Sequence, residues 1–297
     1  VQLVTVCAMD PTLVDAMRAN GGFLHTTDLL RRMSPSRVRW LVHTRQLTRV
    51  RHGLYAVGTL PVSARLDALS IELGTRVAAS MDTAAAMHGF DVDQTQQLHV
   101  VEPDDRRIES RPGVVVHQRR GAPLVEVGTR LVVEPAWTAV EVARQRAPGR
   151  ALAVLDAAAR VGCEPGSLER AVDAQRGRRG IVEVRRLAPL VDRRSGSPME
   201  SETRLVLHDG HLPAPELQWP VMHGLGIFYL DLAWPARRFA MEYDGDEFHG
   251  TPDSVRRDKA RLALLADEGW RVLQITSDDV RREPDVLVGR VRRLLAA

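Results

Sequence analysis

The chain has 297 residues, 44% of them apolar, with 41 basic and 38 acidic side chains and a net charge of +3. This composition excludes a fibrous or disordered protein, and the length suits two or three small domains rather than one. The two cysteines, Cys7 and Cys163, lie outside any CxxC or Cys/His spacing, which argues against structural zinc or a disulfide framework. Residues 1–8 are apolar but shorter than a secretory signal and lack its cationic lead. No later run approaches a membrane span, so a cytoplasmic protein without membrane contact is expected. Lys259 is the sole lysine, and the many arginines point to phosphate only where they gather on one element.

Within residues 11–33 two short helical patterns are separated by Asn20, Gly21 and Gly22, a helix stop, and Thr26 or Thr27 is placed to cap the second. Ser34 and Pro35 open a third helix, serine as N-cap and proline in the first turn, with Val38, Leu41 and Val42 on its inner face. Arg37, Arg39 and Arg45 are left for the outside. Residues 47–57 alternate as two short strands about His52-Gly53, which reads as a wing. Three helices and a β-wing make a winged helix-turn-helix over residues 1–60. Such a fold serves DNA binding, or protein contacts alone.

Residues 61–195 read as an α/β middle domain with a helical connector. It has an alanine-rich helix at 80–89, strands at 97–102 and 113–118, and helices at 135–146, 150–161 and 165–190. No repeat, low-complexity tract or catalytic constellation stands out there. Ser195-Gly196-Ser197-Pro198 is a polar hinge and marks the domain boundary. In the third domain, 196–297, a helix at 199–208 precedes strands at 216–222, 227–234 and 238–244. A helix at 252–268, capped by Thr251 and stopped by Gly269, leads to a strand at 270–276. A last helix carries Leu287, Val291, Leu294 and Leu295 at helical spacing, so the order is αβββαβα.

The chemistry-bearing residues gather on this third domain. Glu242 and Asp244 lie two apart on one strand and share a face. Asp231 sits near the end of the preceding strand, made an antiparallel neighbour by the Pro235-Ala236-Arg237 turn. Carboxylates converging without a cation repel, which raises the pKa of at least one and costs stability. Mg2+ or Mn2+ removes that conflict, polarises a phosphoryl oxygen and lowers the pKa of a bound water. Glu200, on the opening helix, would complete the cluster, although Glu202 lies close by and either one suits the place. Arg204 follows Glu200 by one turn. Asp231 and Glu242 stand within apolar strands where an unpaired charge is expensive. Asp246 and Glu247 read as an exposed loop, and Asp244-Gly245 also suits a simple turn. Arg256, Arg257 and Arg261 share one helix, fit either to hold a phosphate or to face solvent, and Lys259 on the same helix reads as an exposed lysine, with a place in the site as its alternative. Trp219, Trp234 and Trp270 fall at strand positions and read as packing residues.

The αβββαβα order with Glu200, Asp231 and Glu242-Tyr243-Asp244-Gly245 resembles the PD-(D/E)XK restriction-endonuclease-like superfamily, specifically its Vsr-like, very-short-patch-repair branch. Supporting matches are Ser197-Pro198-Met199-Glu200, Phe248-His249-Gly250, Asp258 with Arg261, and Gly269-Trp270-Arg271-Val272-Leu273. The resemblance implies a core with a mixed sheet and metal-dependent cleavage or nicking of DNA. Asp231 would be the principal ligand of Mg2+ or Mn2+, with Glu242 beside it and Glu200 and Asp244 in support. His249 would be the proton acceptor, matching a histidine that assists the attacking water in Vsr-like enzymes. The superfamily's usual motif ends in lysine, where this chain has Asp244, which fits the Vsr-like branch.

Gly21-Gly22-Phe23 through Arg49-Val50-Arg51-His52-Gly53-Leu54-Tyr55 resembles the winged-helix start of AbiEi-family antitoxins, and residues 80–89 and 113–117 are similar to the domain that follows it. That likeness implies DNA as a partner, with Arg37, Arg39 and Arg45 meeting phosphate or base edges and Arg49 and Arg51 the adjoining backbone. Arg256 and Arg261 would hold DNA in the third domain. The expectation is therefore a multidomain α+β and α/β protein that binds DNA and hydrolyses its phosphodiester bonds, in repair or defence, with a possible toxin or repair partner. The alternatives are a catalytically inactive regulator or antitoxin of an AbiE-like toxin-antitoxin system, and an RNA-directed toxin.

Overall fold

A computed structural model describes residues 23–44, 46–51, 53–57, 61–91, 97–104, 107–118, 121–224, 226–244 and 252–296. The described residues are mixed α and β and form three separate sheets. It divides into two compact units, Val1–Met87 with Gln94–Val133, and His88–Asp93 with Glu134–Ala297. Among the described residues no helix is long and apolar enough to cross a membrane.

In the first unit, strand β1 (Leu24–His25) runs into α1 (Thr26–Leu30), and α2 (Pro35–His43) follows. The N-cap of α1 is His25, in extended backbone, rather than Thr26 or Thr27, because β1 carries the chain straight into the helix. Helix α2 starts as its sequence suggests: the Ser34 hydroxyl accepts from the Arg37 amide at 3.3 Å, and Pro35 occupies the first turn. Strands β2 (Leu47–Arg51) and β3 (Leu54–Val57) pair antiparallel, and β1 adds to β3 in the order β1-β3-β2. Val38 and Leu41 of α2 pack against Leu24, Leu29, Leu47 and Leu54. The first of the two helical patterns read from residues 11–33 lies outside the described residues.

The same unit continues through α3 (Val62–Leu73), β4 (Ala78–Ala79), α4 (Met81–Met87), β5 (Leu98–Val101), β6 (Val114–His117), β7 (Leu124–Val127) and β8 (Arg130–Val133). The strands form one mixed sheet, β6-β5-β4-β8-β7, in which β5 is parallel to β6 and β4 to β8. Neither α3 nor the β7-β8 hairpin was expected from sequence. Helix α3 buries Leu66 and Leu69 against Val77, Leu98, Val100 and Val132, and ends on Gly74 in the left-handed conformation at φ 63°.

The second unit opens with α5 (Pro135–Ala143), α6 (Pro148–Arg160), α7 (Pro165–Ala174) and α8 (Ile181–Leu187), then a 3-10 turn at Ala188–Leu190. The helix expected over 165–190 is broken after Ala174. Gly177 and Gly180 have φ of 80° and 83°, and a Cβ on Gly180 would overlap the Arg144 carbonyl oxygen, so the chain must turn there and only glycine fits.

Next come α9 (Pro198–Asp209), β9 (Glu216–His223), β10 (Gly226–Trp234), β11 (Phe239–Tyr243), α10 (Pro252–Asp267), β12 (Arg271–Ile275), α11 (Ser277–Arg281) and α12 (Pro284–Ala296). The last helix expected, with Leu287, Val291, Leu294 and Leu295, is α12, and the short α11 ahead of Pro284 was not expected from sequence. The sheet order is β12-β11-β10-β9, with β10 antiparallel to both neighbours and β11 parallel to β12. One face packs Leu217, Leu232, Phe239 and Met241 against Met199, Leu207, Leu287 and Val291 of α9 and α12. The other packs Leu230, Ala233, Ala240 and Trp270 against Leu265 of α10.

Helix α9 is tied to α6 through a buried aspartate. Asp156 accepts from the Ser201 hydroxyl at 2.7 Å, from Arg204 Nη2 at 2.9 Å and from the Asp192 amide at 2.8 Å. Burial pushes the Asp156 carboxyl above its ordinary value, opposed by the Arg204 charge and the Ser201 and Asp192 bonds. Removing one partner from such a pair leaves the other charged and buried. Asp156→Ala is therefore expected to cost about 3 kcal/mol in denaturant unfolding, with Asp156→Asn, which keeps acceptor capacity, losing clearly less. Equal losses for the two variants would rule out this account of the junction.

Candidate functional site

The acids of the second unit meet where the sheet changes face. Leu217 and Trp219 are two apart in β9, and their partners Leu232 and Leu230 are two apart in β10, so each couple should share a face. Instead Leu217 and Leu232 belong to one core and Trp219 and Leu230 to the other. The reversal falls at Gln218, a non-glycine residue at φ 51°, and at Asp231 across from it. A polar pair is thereby turned toward the start of α9.

Three elements supply what surrounds it. Ser197 caps α9 by accepting from the Glu200 amide at 3.2 Å, and Glu200 Oε2 in return accepts from the Gly196 amide at 2.7 Å. Gln218 Nε2 donates to Glu200 Oε2 at 3.1 Å and to Asp231 Oδ1 at 3.3 Å. The Tyr243 amide donates to Asp231 Oδ2 at 3.3 Å. Gly196 makes room for this: a Cβ there would stand 3.0 Å from Glu200 Oε1 and 3.4 Å from Gln218 Nε2. Burial, then the charges of Glu200 and Glu242, push the Asp231 carboxyl up to about 6 against the Tyr243 and Gln218 bonds.

Glu242, also buried, is held differently. Arg261 forks onto it, Nη1 to Oε2 and Nη2 to Oε1 at 2.6 Å each, while Nη2 also donates to the Tyr229 carbonyl at 3.0 Å. Arg261 is thus committed to a carboxylate and not left open for phosphate, as the sequence reading had allowed. Arg204 turns to Asp156 and not to Glu200 one turn away. Of the two glutamates fit for the cluster, Glu200 faces Gln218 and Asp231, whereas Glu202 pairs with Arg281 at 2.7 Å and Arg150 at 3.0 Å.

Asp244 is exposed, and its amide donates to the Ile275 carbonyl, continuing the β11-β12 pairing; none of its hydrogen bonds among the described residues reaches the cluster. His249 and Arg45 lie outside the described residues, as does the side chain of Arg51. Arg37, Arg39, Arg49 and Arg256 are exposed. Cys163 is half-buried, and burial followed by the Glu134 charge pushes its thiol up to about 11, in keeping with an unreactive thiol.

Among the described residues no group of three or more histidine, cysteine, aspartate or glutamate side chains is gathered into a ready-made cation cage. The Glu200 and Asp231 carboxylates nevertheless suit a hard cation in their chemistry, although the Gln218 carboxamide turns its nitrogen and not its oxygen to them, and the raised Asp231 marks a site short of positive charge. Sequence reasoning missed Gln218. Its signal was present, since an antiparallel pairing of β9 with β10 sets a polar side chain directly across from Asp231.

The unfolded chain releases the Asp231 proton near 3.8 and the folded chain near 6, so between those values the native state binds more proton and stability falls as pH rises. Above about 6 the full cost is present, on the order of 1–3 kcal/mol. Asp231→Asn is expected to raise the melting temperature at pH 7.5 and to leave it nearly unchanged at pH 4. A loss of stability at pH 7.5 would show that the charged carboxylate is favourable in place.

Residues 77–190, from the strand β4 region through the 3-10 turn, match the model of the AbiEi antitoxin C-terminal domain. Uncharacterized protein MT2308 of Mycobacterium tuberculosis strain CDC 1551 / Oshkosh is 48% identical over 253 residues, 84% of this chain and 92% of the relative. Uncharacterized protein Rv2248 of strain ATCC 25618 / H37Rv matches to the same extent, 48% over 253 residues. The chain belongs to the family of these two mycobacterial proteins, and its residues 77–190 are similar to the AbiEi antitoxin C-terminal domain.

Proposed function

We propose that the chain is a DNA-binding protein of the antitoxin kind, with its N-terminal helices and wing on DNA and a toxin as the natural protein partner. The observation that carries this reading is the antitoxin-domain match at 77–190, preceded in the chain by α2 and the β2-β3 hairpin. Arg37 and Arg39 on α2 and Arg49 on β2 are exposed, the arrangement a winged helix-turn-helix would use on phosphate and base edges. Replacing Arg37, Arg39 and Arg49 together by alanine is expected to weaken duplex binding at least tenfold and to flatten its salt dependence, measured by fluorescence anisotropy across salt concentrations. Unchanged affinity and slope would overturn this reading.

A second reading is carried by a different observation, the Glu200–Asp231 pair with its raised carboxyl. In it the third domain is a metal-dependent endonuclease acting on DNA. Asp231, Glu200 and Glu242 would hold Mg2+ or Mn2+, Glu242 in exchange for Arg261. Once bound, the cation would supply Lewis acidity toward a phosphoryl oxygen and a more acidic water. Gln218 keeps Glu200 and Asp231 side by side, the Tyr243 amide orients Asp231, and Arg261, when released from Glu242, would turn to a phosphate oxygen. Asp244 and His249 keep the supporting and proton-accepting roles that the Vsr-like resemblance implies. Supercoiled plasmid, linear DNA and RNA incubated with the full chain under Mg2+, Mn2+ or EDTA test it. Metal-dependent nicking of DNA, lost in Asp231→Asn, is the expected result; nicking that survives the substitution would be a contaminant's and would sink the reading.

A further inference from the structure

Helix α2 carries a tryptophan that the arginine contacts leave unused. Val38 and Leu41 are buried and define the inner face. At about 100° per residue, Ser36, Trp40 and His43 then run along the middle of the outer face, with Arg37 and Arg39 on its two flanks. Trp40 is 44% exposed, whereas Trp137, Trp234 and Trp270 are each 7% exposed. The Arg37 guanidinium lies over its ring, 4.2 Å from the centroid, so the indole is held out on the helix surface by a cation–π contact. The helix has no acidic residue to repel a polyanion.

We infer that Trp40 is a specificity-determining residue that meets the C5-methyl group of thymine in the major groove of double-stranded DNA, between phosphates held by Arg37 and Arg39. The inference rests on the DNA-binding reading above and adds to it what is read. The major groove admits an α-helix, and the thymine methyl is the apolar group displayed on its base edges. An exposed ring on the outer face of a helix that carries one arginine on each flank matches a methyl displayed between two phosphate rows. A second copy of this chain is a poorer occupant, because it would set Arg37 and Arg39 against their own like charges.

The test begins by selecting duplexes from a random pool with the full chain, and then measuring affinity for the selected duplex and for the same duplex with uracil in place of thymine. The parent is expected to lose about fivefold or more in affinity on losing the methyl at one fixed position. Trp40→Ala, confirmed as folded by its melting curve, is expected to bind both duplexes equally, while Arg37→Ala binds both more weakly and still distinguishes them. Equal discrimination by Trp40→Ala and the parent would overturn the inference while leaving DNA binding intact. So would a dimer that dissociates in Trp40→Ala with discrimination unchanged. Absence of any selected duplex for the parent would overturn the DNA-binding reading itself, and this inference with it.

Discussion

Helix α9 is enclosed by the rest of its unit, with Met199, Glu200, Ser201, Glu202, Thr203, Leu205 and Leu207 all buried. A helix so placed can carry charge only if each charge is met, since a lone buried ion is among the most expensive things a fold can hold. Arg204 is met by Asp156, and Glu202 by Arg150 and Arg281. Across the sheet, Glu242 is met by Arg261. Glu200 and Asp231 are the exception. Among the described residues they receive only neutral donors, the Gly196 and Tyr243 amides and one Gln218 carboxamide shared between them. The surrounding unit is organised so that most buried charges cancel and this pair does not.

That imbalance connects the architecture to function. A structural acid pair would be expected to find an arginine, as the neighbouring acids do, whereas a pair kept short of positive charge is suited to receive a cation from outside. The same geometry is also what a nuclease-like scaffold would retain if its chemistry were no longer used, and the antitoxin-domain match stands on the side of a regulator. The two readings share a DNA-binding front end and differ in what the acid pair does once the chain is on DNA. They are separable because the arginines and Trp40 lie in one compact unit and the acid pair in the other.

Much of the element order was legible. Ser34-Pro35 and Ser197-Pro198 announced helix starts because a hydroxyl cap followed by proline suits few other conformations. The third sheet was readable from alternating apolar runs and the Pro235-Ala236-Arg237 turn. What escaped was mostly long-range. Arg204 seemed made for Glu200 one turn away, but its partner Asp156 lies on another helix, and no local pattern announces that. Arg261 likewise looked like a phosphate ligand until the fold brought Glu242 to it. The requirement for glycine at position 180 is steric and set by Arg144, again distant in sequence. Helix α3 and the β7-β8 hairpin were local misses: Leu66, Leu69 and Leu73 have helical spacing, and Gly128-Thr129 is a two-residue turn, but outward-facing Leu124 blurs the alternation.

The claim on which the account turns is that Glu200 and Asp231 share a buried, uncompensated negative charge. Carbon-13 NMR titration of the Asp231 carboxyl in the metal-free full chain measures it directly. The account predicts a midpoint near 6. A midpoint at or below the ordinary aspartate value of 3.8 would mean that the charge is already balanced within the protein, and would contradict it.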